Sequence, residues 1–201
     1  GSSELAVLHV DLLEVVGAPA DCTPGGIFTC METWDAIRAR RDVRAFAGRT
    51  IEDADLDRIL EAGRRAPSSR NRQPWDLVVV TVRERLVELA KVWRAGGHIE
   101  HSAATVALIG PVLEDEMQRS WLLFDHGQAM MSMMLAAADL GIGSGHSAVG
   151  DQDLLRSLLA VPADRFCTAL MPLGYPSDRP LAPINAPDRR PFADVVHREG
   201  W

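Results

Sequence analysis

The stretch from Ala129 to Leu140 constrains this chain more than any other. Nearly every residue in it is apolar or small, and four are methionine: Met130, Met131, Met133 and Met134. A helix that is apolar around its whole circumference is stable only in the middle of a core or an interface. The helix carrying it is expected from about Glu114 to Leu140, with an acidic first turn that suits the helix dipole and Gly141 as its stop. At 201 residues the chain can bury such a helix in one domain, since a domain of this size hides roughly 70% of its unfolded surface.

The remaining elements follow from periodicity and punctuation. Trp34 to Arg41 reads as a short helix. Thr50-Ile51-Glu52-Asp53 resembles a capping box ahead of the apolar spacing Leu56, Ile59, Leu60, and that helix must end near Arg65 because Pro67 disfavours helical geometry at Ala66. Leu77 to Val82 and Ala104 to Ile109 are short β-branched or apolar runs, hence buried strands. Arg83 to Trp93 is a helix closed by Gly96-Gly97; Asp151 to Leu159 is another helix, and Phe166 to Met171 another strand. Strands alternating with helices suggest, from pattern alone, a parallel sheet.

Residues 1–30 read as a separate arm or fused extension ahead of a domain at 31–201. Gly1-Ser2-Ser3 looks like the scar of a cleaved fusion. Ala18 to Asp21 and Thr23 to Gly26 read as turn or linker.

Composition narrows the partners. A formal net charge of −7 argues against nucleic acid, which demands a dominant basic face. No apolar run approaches the roughly 18 residues needed to span a bilayer, so no membrane partner is expected. Cys22, Cys30 and Cys167 follow no metal spacing, and their odd number suits buried thiols in a reducing compartment, the cytoplasm. Any phosphate ligand must therefore be held by a local basic cluster.

One such cluster exists: Arg38, Arg40, Arg41 and Arg44 fall within seven residues of an acidic chain. Guanidinium forks match phosphate oxygens, although a solvated helix face would look the same. The loop Ala66-Pro67-Ser68-Ser69-Arg70-Asn71-Arg72-Gln73-Pro74-Trp75 brackets hydroxyl and amide side chains between prolines. It is rigid and rich in donors and acceptors, which suits a polar heterocycle or sugar-like chain. In Leu140-Gly141-Ile142-Gly143-Ser144-Gly145-His146-Ser147 three alternating glycines let backbone approach a flat ligand. It follows a helix, so it is no dinucleotide fingerprint, and a plain cap and turn is the competing reading. Asp188-Arg189-Arg190-Pro191-Phe192 is, by itself, a basic patch.

In this order and at these separations the segments resemble the FMN-dependent nitroreductase family. Arg40 to Phe46 resembles its Arg-Arg-Ser-x-Arg-x-Phe signature, and Ala66 to Trp75 its Ala-Pro-Ser-x-x-Asn-x-Gln-Pro-Trp signature. Leu140 to Ser144, Leu173-Gly174-Tyr175-Pro176 and the segment from Arg189 to Trp201 resemble its later elements. The resemblance spans Met31 to Trp201. It implies an α+β fold with a central, mostly antiparallel sheet flanked by helices, in an intertwined homodimer with two FMN sites at the subunit interface.

The resemblance also implies an NAD(P)H-dependent flavin oxidoreductase acting on a small-molecule acceptor: a nitroaromatic, quinone or enone. Hydride chemistry belongs to the flavin, so no catalytic side chain and no metal is expected. Arg40, Arg41, Asp42 and Arg44 match positions at the FMN phosphate and ribityl chain, joined by Arg189. Ser68, Ser69, Asn71 and Gln73 match the loop along the ribityl chain and ring edge, and Gly145, His146 and Ser147 lie near the reactive face. Asp42 departs from the family's serine, and His146 is a residue the family pattern does not supply. The alternatives are a deazaflavin-dependent reductase and a non-catalytic flavin-binding or flavin-sequestering protein.

Overall fold

The computed structural model describes residues 31–201. The readings placed on residues 1–30, with Cys22 and Cys30, lie outside the described residues. Five helices, α1 (Thr33–Ala39), α2 (Asp53–Arg64), α3 (Arg83–Leu89), α4 (Glu116–Asp139) and α5 (Gln152–Leu159), surround a four-stranded sheet. Its strands are β1 (Asp76–Val80), β2 (Ala104–Pro111), β3 (Gly143–Ser144) and β4 (Arg165–Gly174). The strand order is β1-β2-β4-β3, and every neighbouring pair is antiparallel.

The α+β architecture stands, and the parallel sheet suggested by pattern alone does not. The reason is that both faces of the sheet are covered. Ala104, Val106 and Leu108 of β2 and Met171 and Leu173 of β4 pack with Leu56 and Ile59 of α2 and with Met130, Met133, Met134 and Ala137 of α4. Ala107, Ile109, Cys167 and Leu170 face the other way, against Leu86 and Leu89 of α3 and Leu155 of α5. Strands buried on two faces read as continuous apolar runs, the pattern usually left by parallel strands.

Local details depart from the expected boundaries in instructive ways. α2 starts at Asp53 behind Glu52 with no side-chain cap, so Thr50 does not form a capping box. α4 is capped by Asp115, whose carboxylate accepts from the Gln118 amide at 2.7 Å. Beyond α3 the chain tightens into a 3₁₀ turn, Ala90–Val92, before Trp93 extends. Of the five α4 methionines, Met130, Met133 and Met134 are buried, and Met117 and Met131 face outward. Between Leu108 and Ile109 the register slips, so that Thr168 of β4 is an extra, bulged residue opposite β2.

No described helix is long and apolar enough to cross a membrane. From Ser177 to Trp201 the chain runs mostly exposed, with Leu181, Pro183 and Ile184 half-buried and one 3₁₀ turn at Phe192–Asp194. Leu108, fully buried at the middle of β2, tests the packing directly. Leu108→Ala is expected to lower the unfolding free energy by about 2–5 kcal/mol, read by urea denaturation. A loss under about 1 kcal/mol would mean the site collapses around the cavity.

Candidate functional site

The arginine segment leaves α1 as an extended strand-like run. Arg40 ends the helix, its amide donating to the Ala36 carbonyl. Asp42 then forms a single parallel bridge with Ser144, through Val43 N–H donating to the Ser144 carbonyl at 2.9 Å. Val43 is buried between Asp42 and Arg44, which point outward, the alternation that extended backbone imposes; Phe46 is buried further along.

Glycine makes this approach possible. A Cβ on Gly145 would sit 2.8 Å from the Val43 carbonyl oxygen, and one on Gly143 would sit 2.6 Å from Val43 Cγ2. The segment just after the edge strand β3, which the glycine-rich pattern concealed, therefore places His146 beside Asp42. His146 Nδ1 lies 3.1 Å from Asp42 Oδ1, and Arg40 Nη1 lies 3.5 Å from the same oxygen.

The arginines are not equivalent. Arg44 is exposed and makes no ion pair among the described residues. Arg41 turns away, donating to Asp178 at 2.7 Å and to the Arg179 carbonyl at 2.8 Å, and it holds the Asp178 carboxyl below its ordinary range. Arg38 is taken up by Asp35 and Asn185. Arg189 donates to the neighbouring Asp188 carbonyl and is not brought to this cluster. Ser147 is buried, bonded to Leu170 in both directions at 2.9 Å, with its hydroxyl on the Ala148 carbonyl.

His98, which sequence reasoning missed, joins the cluster. Its ring lies 3.9 Å from the position a Gly145 Cβ would take, and its Nε2 is buried without a partner. Burial, then the nearby Arg44 charge, push its pKa down. Nothing in the Gly96-Gly97-His98 run signals this, because only the fold joins it to residue 145.

The loop Ala66–Trp75 is built by strain and held by α4. Arg70, Asn71 and Gln73 all adopt the left-handed region, with φ of 55°, 54° and 50°, at about 1–2 kcal/mol each for non-glycine residues. Ser68 Oγ accepts from the Gln73 amide at 2.9 Å, and the Gln73 side-chain amide donates to the Asn71 carbonyl. The Ser69 amide donates to both oxygens of Asp125, each at 3.1 Å.

The next residue of α4 completes the clamp. His126 Nε2 lies 3.0 Å from the Pro74 carbonyl and Nδ1 lies 2.8 Å from Thr168 Oγ1. A carbonyl only accepts, so Nε2 carries the proton and Nδ1 accepts from the threonine hydroxyl. Asp125 and His126, each 3% exposed, were not singled out from sequence. Their signal was readable: they occupy core positions of the stripe Leu122, Ala129, Met130, Met133.

The two halves do not meet within one chain. The loop is tethered at Asp125 and leads into edge strand β1, whereas the arginine–glycine cluster adjoins edge strand β3, just past the end of α4. The fourteen residue steps from Asp125 to Asp139 span about 21 Å of helix, and the core between α2, α4 and the sheet fills the space. Beside the loop lies a cleft of about 360 Å³ lined by Arg70, Arg72, Met117, Trp121 and Asp125 among others. An apolar stripe along α4, comprising Met117, Trp121, Phe124 and Met131, stays exposed.

A family model described as "Nitroreductase family" matches residues 37–96 and 93–175. A protein of Archaeoglobus fulgidus, provisionally named an NADH dehydrogenase/NAD(P)H nitroreductase, is 35% identical over 170 residues, covering 82% of this chain and 96% of that protein. The NADPH-flavin oxidoreductase of Vibrio harveyi is 27% identical over 182 residues, 84% of this chain and 74% of that one. Among solved structures, a Parabacteroides distasonis protein with the same provisional name superimposes with a TM-score of 0.72 at 26% identity, covering 84% and 98% of the two chains.

Burial pushes the His126 pKa down, the Pro74 carbonyl and Asp125 pulling weakly the other way. The unfolded chain takes up a proton near pH 6.5 that the folded ring resists. This contribution to stability is therefore complete above about pH 6.5 and lost as pH falls through the lower folded value. His126→Gln is expected to melt lower at neutral pH, with a shallower decline in Tm between about pH 7 and pH 5. An unchanged slope would remove His126 as the titrating group.

Proposed function

The chain belongs to the nitroreductase family, and we propose that it is an FMN-dependent oxidoreductase passing hydride from NAD(P)H to a small oxidised acceptor, a nitroaromatic, quinone or enone. The observation that carries this reading is the division of the site. A cationic glycine-lined cluster just past the end of α4 and a rigid amide-rich loop tethered near its middle stand apart, each open to a ligand and neither sufficient alone. A homodimer that sets the loop of one copy against the cluster of the other would complete both.

The exposed stripe of α4 supports that assembly, because Trp121 and Phe124, packed edge to face at 5.9 Å, need apolar cover. The exposed C-terminal segment, carrying Arg189, Phe192 and Trp201, is in the same position. The names of the relatives, NAD(P)H nitroreductase and NADPH-flavin oxidoreductase, support the nicotinamide donor.

The residues present fit FMN. Among the described residues Arg44 makes no ion pair and Arg40 is engaged only at 3.5 Å, so two cationic forks are open to a phosphate ester. Arg41, through Asp178, fixes the backbone that presents them. Ser69 and Asn71, with Ser68 and Gln73 ordering the turn, offer polar groups to a ribityl chain and ring edge. Gly145, His146 and Ser147 bring backbone close to a flat ring, and Arg189 would enter from the C-terminal segment of the assembled dimer. When bound, the flavin supplies the two-electron hydride chemistry, and the chain supplies position and electrostatics.

The purified protein is expected to show a flavin spectrum and to release FMN. Arg44→Ala should weaken FMN binding more than tenfold, since a charge-assisted contact contributes about 1.5–3 kcal/mol. Unchanged affinity by fluorescence titration would remove the phosphate assignment, and a deazaflavin in the supernatant would replace the cofactor. Phe124→Asp is expected to convert a dimer to monomer in sedimentation equilibrium and to abolish flavin binding with it. A monomeric wild type that retains flavin would overturn the shared site.

A further inference from the structure

Asp42 puts a negative charge in the middle of a cluster read as a phosphate cradle. The structure gives it two partners. Its Oδ1 is 3.1 Å from His146 Nδ1 and 3.5 Å from Arg40 Nη1. The proximity is built into the backbone. The bridge between Asp42 and Ser144 aligns two extended segments in parallel, and side chains two residues apart on such segments share a face. Asp42 and Arg44 therefore face the same way, and His146 arrives beside them from the other segment.

The charges around this point can be counted. Arg38 and Arg41 are committed to Asp35, Asn185 and Asp178. Arg40 and Arg44 against Asp42 leave one net positive charge, and a proton on His146 makes it two. A phosphate monoester carries about −1.5 to −2 at pH 7; Arg189 of the assembled dimer would add a further positive charge, but a proton on His146 is what neutralises Asp42 where it stands, 3.1 Å away.

We propose that Asp42 and His146 make phosphate binding proton-coupled: the cradle takes the phosphate of FMN together with one proton, held on His146 against Asp42. The inference rests on the FMN reading above and adds the pair that decides between phosphorylated and unphosphorylated flavin. With the carboxylate neutralised by its own imidazolium, Arg40 and Arg44 are free to face the phosphate. Without that proton, Asp42 opposes the phosphate and competes for Arg40. The other titratable group facing the cluster is His98, whose pKa burial and then the Arg44 charge push down, against weaker upward pulls from the Ala95 and His146 backbone and from Asp42. Both members of the pair are half exposed, so solvent exchanges the proton and substitution there leaves the core intact.

The test is a flavin-fluorescence titration of the full chain freed of flavin, with FMN and with riboflavin, between about pH 8.5 and 6.5. The Kd for FMN should fall about tenfold or more toward the acid end, since uptake of one proton on binding changes affinity by up to tenfold per pH unit. Riboflavin, lacking the phosphate, should bind with a flat profile. The phosphate's own second ionisation, near pH 6, shifts affinity in the opposite direction and cannot imitate the effect.

His146→Gln should flatten the FMN profile to within about twofold, and Asp42→Asn should flatten it while tightening FMN at the alkaline end. The same slope with riboflavin, a slope that survives His146→Gln, or weaker FMN binding in Asp42→Asn overturns the inference. FMN binding that is tight but independent of pH does so too, leaving the cofactor reading in place. Failure to bind either flavin at any pH overturns that reading, and the inference with it.

Discussion

Asp125 and His126 occupy two successive positions of the buried stripe of α4, where a leucine would pack without difficulty. Burying a carboxylate and an imidazole costs several kcal/mol unless their hydrogen-bonding capacity is met. Here it is met by one loop and one strand. Asp125 holds the Ser69 amide with both oxygens, while His126 bridges the Pro74 carbonyl and Thr168. The helix, the loop and the sheet are thereby tied at one point. Were these residues apolar, α4 would still pack, but three left-handed residues between Ser69 and Pro74 would lose the anchor that makes their conformation tolerable.

That anchor also bears on the ligand role proposed for the loop. Its unfavourable backbone angles are set by α4 before anything binds, so a ligand meets polar groups already in place and need not order them. The arginine–glycine end is organised by a different device. Backbone pairing between the Asp42 segment and β3 works only because Gly143 and Gly145 leave room for Val43. One end of the site is held by buried side chains, the other by the absence of side chains.

The long helix, the strands and the outer helices were legible because burial leaves apolar periodicity in the sequence. Strand direction was not, because β2 and β4 are covered on both faces and lose the alternation that marks antiparallel pairing. β3 was hidden by its length of two residues and by the glycines in and around it, whose signal is conformational freedom and not propensity. The arginine segment and the proline-bracketed loop were visible as local motifs. His98, by contrast, acquires its place only through a contact between residues far apart in sequence, and Arg41 is removed from the open set by Asp178 in the same way. Asp125 and His126 stood in plain view within the helical stripe, where polarity at core positions is itself a sign of a tether.

Thr168 has a consequence that reaches beyond its hydroxyl. Being the one unmatched residue on β4 opposite β2, it shifts the parity of the strand: side chains before it and after it obey opposite odd–even rules for which side of the sheet they meet. The two halves of β4 are locked out of phase, and Leu170 and Met171 reach their respective cores only because of the extra residue. A single-residue deletion here would not merely shorten a strand. It would send every side chain on one half to the wrong hemisphere of the molecule. In any alignment of related chains, this is the position where a gap would carry more structural meaning than a substitution.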